Sequence, residues 1–129
     1  ISRVQIIAII LSSMLFTQCK LQCKYVDTTQ INEKIKYDIM IQSPGEVMQK
    51  FYPITDESNI VLDWAELKKP KHYKVTLIHS NLEDDSIEQL RYIMKVQYNN
   101  VYWHVGSIKQ SMKCRKSRGH RFWSCKSCK

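Results

Sequence analysis

The last 41 residues of this chain contain no acidic residue. All 12 Asp and Glu lie between Asp27 and Glu88. Glycine is scarce too, at three in 129 residues. A Gly-rich loop able to wrap phosphates is therefore missing, and with it the common nucleotide-binding motifs. No His-Glu-x-x-His and no nucleophile elbow occurs. There is no Asn-x-Ser/Thr sequon, so N-glycosylation is not expected. The longest apolar run, residues 4–16, is broken by Gln5 and Ser12-Ser13. It falls short of the roughly 20 apolar residues that a membrane-spanning helix needs.

What remains is a chain long enough for one domain, with 43% hydrophobic and 25% charged residues. The formal net charge is +8, and its position matters more than its size. Residues 20–112 hold 12 basic residues against the 12 acidic ones. Seven more Lys and Arg crowd into residues 113–129, and Arg3 is the last. The pattern predicts a neutral body with a basic interaction tail.

The N-terminus, ISRVQIIAIILSSMLFTQC, places one Arg before a short apolar run, as a secretory signal peptide does. Cleavage after Cys19 puts the small residues Thr17 and Cys19 at the peptidase positions. It leaves Cys23, Cys114, Cys125 and Cys128, an even set suited to an oxidising compartment. The expected organisation is a signal peptide over 1–19, a leader over 20–33, a β-rich domain over 34–112 and a Cys-rich basic tail over 113–129. The expected location is extracellular.

Period-two alternation dominates the body. KIKYDIMIQ (34–42) alternates Ile35, Tyr37, Ile39 and Ile41 with polar residues, and Ser43-Pro44-Gly45 then reads as a turn. HYKVTLIH (72–79) and LRYIMKVQY (90–98) alternate in the same way. Asn99-Asn100 before VYWHV reads as a two-residue hairpin turn. TDESNIVLDWAELKKP fits either a capped helix or a strand, and DDSIEQLRYI can open with a helical turn.

NIVLDWAELKKPKHYKVTLIH resembles the B-to-C strand region of a fibronectin type III domain, with Trp64 and Tyr73 in the core positions. LRYIMKVQYNN is similar to its F strand, with Tyr92, Met94 and Val96 directed inward. The resemblance covers residues 34–109 and implies a small antiparallel β-sandwich of the fibronectin type III or immunoglobulin-like kind. It also implies Trp64, Tyr73 and Tyr92 as core residues, and binding through loops and sheet faces in place of catalysis. Only 18 residues separate Tyr73 from Tyr92. That gap leaves open an α+β alternative, with one helix on an antiparallel sheet.

No catalytic constellation, cofactor site or small-molecule substrate is expected. His72 and His79 are seven apart, so one strand directs them to opposite faces. His104, beside Trp103, reads as a surface residue. Glu83, Asp84, Asp85 and Glu88 read as a solvated loop. The tail offers Cys114, His120, Cys125 and Cys128 in zinc-compatible chemistry, but it lacks a second Cys-x-x-Cys pair, and export favours disulfides. No metal is expected.

Four cysteines allow three pairings. Cys114 joined to Cys125 or Cys128 closes a small basic loop, leaving Cys23 for the remaining tail cysteine. The tail displays Lys113, Arg115, Lys116, Arg118, His120, Arg121, Lys126 and Lys129, with Phe122 and Trp123 as aromatic contacts. Clustered cations bind polyanions through counterion release, and Arg clasps sulfate or phosphate with two donors. The expected function is a small secreted, heparin-binding type of protein that holds an extracellular receptor or a sulfated glycan. The alternative is a membrane-active or nucleic-acid-binding basic protein, with an anionic membrane surface as partner.

Overall fold

The computed structural model describes residues 24–129. The expected signal peptide and Cys23 lie outside the described residues. Two short helices, α1 Thr29–Ile35 and α2 Pro44–Phe51, precede four strands: β1 Ile60–Glu66, β2 His72–Ser80, β3 Ile87–Tyr98 and β4 Trp103–Cys114. The strands form one antiparallel sheet in the order β1-β2-β3-β4. The fold is mainly β, with both helices packed on the same face of the sheet. Where a sandwich needs a second sheet, the described residues supply α1 and α2.

The segment 34–42 explains the difference. It is not a strand: Lys34 and Ile35 end α1, and residues 36–40 form turns. Of the four alternating apolar residues, only Ile35 and Ile41 are buried, while Tyr37 and Ile39 are 82% and 91% exposed. Ile35 belongs with Ile31, four residues earlier, on the buried side of α1. Ile41 is held separately, its carbonyl accepting from the buried Trp103 Nε1 at 3.2 Å.

Ser43-Pro44-Gly45 does not end a strand but starts α2. Ser43 is the extended N-cap, and its hydroxyl accepts from the Glu46 backbone N–H. Pro44 follows at the first helical position, where its missing N–H costs nothing. Glu46 reaches back to accept from the Gln42 N–H at 2.6 Å, a close variant of a capping box.

The ambiguous stretch 55–69 resolves as a short 3₁₀ turn, Glu57–Asn59, followed by strand β1. No helical turn opens at Asp85 or Ser86. The Asp84 carboxylate instead accepts from the Ser86 N–H, the Ser86 hydroxyl and the Ile87 N–H. These bonds hold the Asp84 pKa below the ordinary carboxylate value, led by the Ser86 hydroxyl. The hairpin after Tyr98 is longer than two residues. Asn99 Oδ1 accepts from the N–H groups of Val101 and Tyr102, and Asn100 takes φ 75°.

The core lies between the helices and the inner face of the sheet. Val47 and Met48 of α2, with Ile31 and Ile35 of α1, pack on Val75, Leu77, Met94, Val96, Val105 and Ile108. Trp64 is not a core residue. It is 44% exposed on the edge strand β1, its ring lying across Gly45 so closely that a Cβ there would stand 2.5 Å from a ring carbon. Tyr73 and Tyr92 are half-buried at the margin of the core, Tyr73 beside Trp103 and Tyr92 against Phe51 and Tyr52. Trp64 and Tyr92 share one face of one sheet, since Trp64 pairs with Val75 and Leu77 with Tyr92.

The free edge of β4 is covered along its length. The Asn32 side chain bonds both backbone groups of Val105, at 2.7 and 3.0 Å. Residues 24–26 pair with Ile108 and Gln110, and Ser124 pairs with Met112. An uncovered edge invites pairing with another chain, so this cover also protects the sheet. The expected boundaries at 33/34 and 112/113 therefore fall inside elements, the first within α1 and the second within β4.

Candidate polyanion-binding surface

Strand β4 runs into the tail at Cys114, and the chain then doubles back. Ser117 and Gly119 take positive φ, 69° and 141°. Glycine is needed at 119 for a second reason: a Cβ would stand 2.8 Å from the Cys114 sulfur. The reversal brings Cys128 to Cys114, and the two form a disulfide with a Cα–Cα distance of 5.5 Å. One of the two closures open to Cys114 is thus the one adopted. Cys125 is disulfide-bonded as well.

Backbone bonds then zip the loop together. Cys114 N–H donates to the His120 carbonyl, Arg118 N–H to Arg115 and Lys129 N–H to Arg118. Met112 and Ser124 exchange two bonds. The tail is a folded extension of the sheet edge.

This folding sorts the eight expected binding residues into two groups. Arg115 is committed inward, its guanidinium donating to the carbonyls of Leu82 at 2.6 Å and Asp84 at 2.8 Å. Arg121 donates to the Cys114 carbonyl at 2.6 Å and pairs with Glu88 at 2.9 Å. Lys113 lies 4.9 Å from the centre of the Trp123 ring, and Arg91 lies 4.5 Å from the same ring. Trp123 is therefore a bracket between two cations of the sheet and not a free stacking platform. Beneath it, Ser111 is buried and accepts from Arg91 Nε at 3.0 Å. Partial burial pulls the Arg91 pKa below the ordinary guanidinium value.

His120 is also internal. Its ring nitrogens lie 2.8 Å from the Phe122 carbonyl and 2.9 Å from that of Lys126. The ligand atoms of Cys114, His120 and Cys128 lie within 4.8 Å of one another. In this oxidised form the two sulfurs are bonded to each other and the imidazole faces carbonyls, so all three groups serve the loop itself.

The second group consists of Lys116, Arg118, Lys126 and Lys129. All four are exposed, and among the described residues their side chains make no hydrogen bond or ion pair. Phe122 is 68% exposed beside them in the chain. The sequence shows all eight residues but not their division into struts and exposed charges, because that division depends on carbonyls far away in the chain.

The remaining histidines are placed elsewhere. His104 is exposed on β4. His72 Nδ1 lies 3.1 Å from the Pro70 carbonyl. His79 stands between Tyr52, whose hydroxyl is 2.7 Å from Nδ1, and Asp56, 3.4 Å from Nε2. Burial raises the Tyr52 pKa, which keeps the phenol protonated and able to donate to Nδ1. The Asp56 pKa is lowered, first by its bond from the Asn59 amide. The three groups clip the end of α2 to β2 and to the turn before β1.

Among the described residues no helix is long and apolar enough to cross a membrane. Compared with known proteins, the chain matches no family model, no curated sequence and no solved structure.

Proposed function

We propose that this is an exported binding protein that grips an acidic glycan through its disulfide-closed tail loop. One observation carries the reading. Lys116, Arg118, Lys126 and Lys129 project from the loop without partners among the described residues, while Arg115 and Arg121 are used to hold it in place. A loop fixed before binding loses less conformational entropy when a ligand arrives than a flexible tail does. Two disulfide-bonded tail segments suit an oxidising compartment, where sulfated glycans are the abundant polyanions.

Salt-dependent retention on heparin tests this. Replacing Lys116, Arg118, Lys126 and Lys129 together by Ser lowers the salt needed for elution and flattens the salt dependence, because fewer counterions are released. The fold is retained, since among the described residues none of the four side chains has a partner. Unchanged elution would show that these charges merely solvate the tail. Exposed Phe122 favours a second reading, contact with an anionic membrane surface. Co-sedimentation with vesicles rich in phosphatidylserine, lost in Phe122→Ser while heparin elution is kept, would select that reading.

A further inference from the structure

The balance of charge over residues 20–112 conceals a strong sidedness. Cα partners in the register share a face, because successive side chains alternate. The outer face of the sheet, away from the helices, therefore carries Lys74 on β2, Arg91 and Lys95 on β3, and Lys109 and Lys113 on β4. Its strand acids are few. Asp63 lies opposite Thr76 on the outlying β1, and Glu88 at the bulge is engaged with Arg121. The other ten acids are on the helices, in loops or on the inner side of β1.

Within this face Lys74 stands directly opposite Lys95. Direct partners on antiparallel strands are about 5 Å apart, and like charges at that spacing destabilise the pair. Lys109 lies diagonally from Lys95, about 7–8 Å away. Lys74 and Lys95 are exposed, and among the described residues no carboxylate pairs with any of the three lysines. Local charge rules are broken here, and such breaks concentrate at functional sites.

We infer that the outer face of the sheet is a second anion-binding surface, on which Lys74, Lys95 and Lys109 hold sulfate or carboxylate groups of the same glycan chain that the tail loop engages. This rests on the glycan-binding reading of the tail. The occupant follows from the chemistry of the face. Thr76, Gln97 and Ser107 lie among the lysines, with Ile93 between Thr76 and Lys109, so hydroxyl and amide groups surround one apolar side chain, a lining suited to a hydroxylated polymer. β2, β3 and β4 direct no Phe, Tyr or Trp outward here, so the successive stacking platforms that single-stranded nucleic acid uses are missing. Tyr25, bridged to Lys109 at the sheet edge and 62% exposed, offers one ring to a sugar face. Lys109 lies five residues before Cys114, about 17 Å along the strand, so one extended chain can reach both surfaces. Arg91, Trp123 and Lys113 lie between them.

The test uses the full chain with disulfides intact and heparin as the probe. The sheet variant replaces Lys74, Lys95 and Lys109 by Ser. A control of equal net charge replaces Lys34, Lys36 and Lys50, on or beside the helices, by Ser. Loss of three cations from a multi-cation grip is expected to weaken binding about tenfold or more near physiological salt, and to flatten its salt dependence. The control stays near wild type. Co-elution of sheet variant and control would overturn the proposal, as would tighter binding of a single-stranded oligonucleotide than of heparin. Should the triple replacement disturb the sheet, Lys95→Glu gives the same readout, because it pairs with Lys74 and keeps the strands together. A tail variant that elutes unchanged while the sheet variant shifts would remove the tail reading and leave the sheet surface standing. The reverse result would remove the sheet surface alone.

Discussion

The two faces of the sheet are made by the same strands and obey opposite rules. On the inner face Val75, Leu77, Met94, Val96, Val105 and Ile108 are sealed beneath two helices. On the outer face Lys74, Lys95 and Lys109 stand together, and among the described residues none has a carboxylate partner. The inner face is where the chain gains stability. The outer face gives some of it up, because like charges repel across a strand pair. The comparison teaches that a neutral sum along the sequence says little about the surface, since alternation sorts adjacent residues onto opposite sides.

The largest test of this contrast sets neighbouring residues against each other. Met94→Ala removes a fully buried side chain and is expected to cost about 2–5 kcal/mol. Lys95→Ala, one residue on, is expected to stay within about 0.5 kcal/mol, as surface changes do. Comparable losses in denaturant unfolding would erase the distinction between the faces.

A middle-sized effect probes where the inner face thins out, at the edge strand. Gly45→Ala forces a methyl into the Trp64 ring and is expected to cost about 1–3 kcal/mol, as overpacking does. In a Trp64→Ala background the same change should be nearly neutral, because the obstructing ring is gone. A double-mutant cycle showing no coupling would mean that the Trp64 ring does not rest on α2.

The smallest expected effect is the most informative about the outer face. Lys95→Glu replaces a like-charge pair by an attractive one and is expected to raise stability by about 0.2–1 kcal/mol while weakening heparin binding. Loss of both properties together would show that Lys95 serves the fold and not a ligand.

Alkaline pH offers a further reading of the inner face. Burial, aided by Tyr52, raises the Tyr92 pKa above the ordinary phenol value of 10.0. The folded state prefers the neutral phenol, so its contribution is complete below pH 10.0 and is lost as pH rises through the elevated value. Tyrosinate absorbance should show a late-titrating fraction that appears together with unfolding. A single ordinary titration would contradict the packing of Tyr92 against Phe51 and Tyr52.

Much of the sheet could be read from alternation. β2 and β3 lie where residues 72–79 and 90–98 predict them, because each has a clean apolar face. The same rule failed at 34–42, where Ile35 and Ile41 are buried in separate local structures. The signal overlooked there was Ser43-Pro44-Gly45-Glu46, a helix start written in capping chemistry. Trp64 was misplaced because periodicity cannot say which strand lies at an edge. The small tail loop was legible from cysteine spacing, which left Cys125 and Cys128 both open as partners of Cys114. Its division into struts and free cations was not, since Arg115 is tied to Leu82 and Asp84, some thirty residues away. The outer lysine patch stayed hidden for a related reason: it exists only once the register is known.

The bond between Cys114 and Cys128 also governs how the molecule would respond to a protease. Lys116 and Arg118 are exposed and lie within the ring that this bond closes, so an enzyme that cuts after basic residues finds its preferred sites there. A single cut between Cys114 and Cys128 opens the backbone without releasing a fragment. The nicked product is heavier by one water molecule, and it separates into two pieces only after reduction.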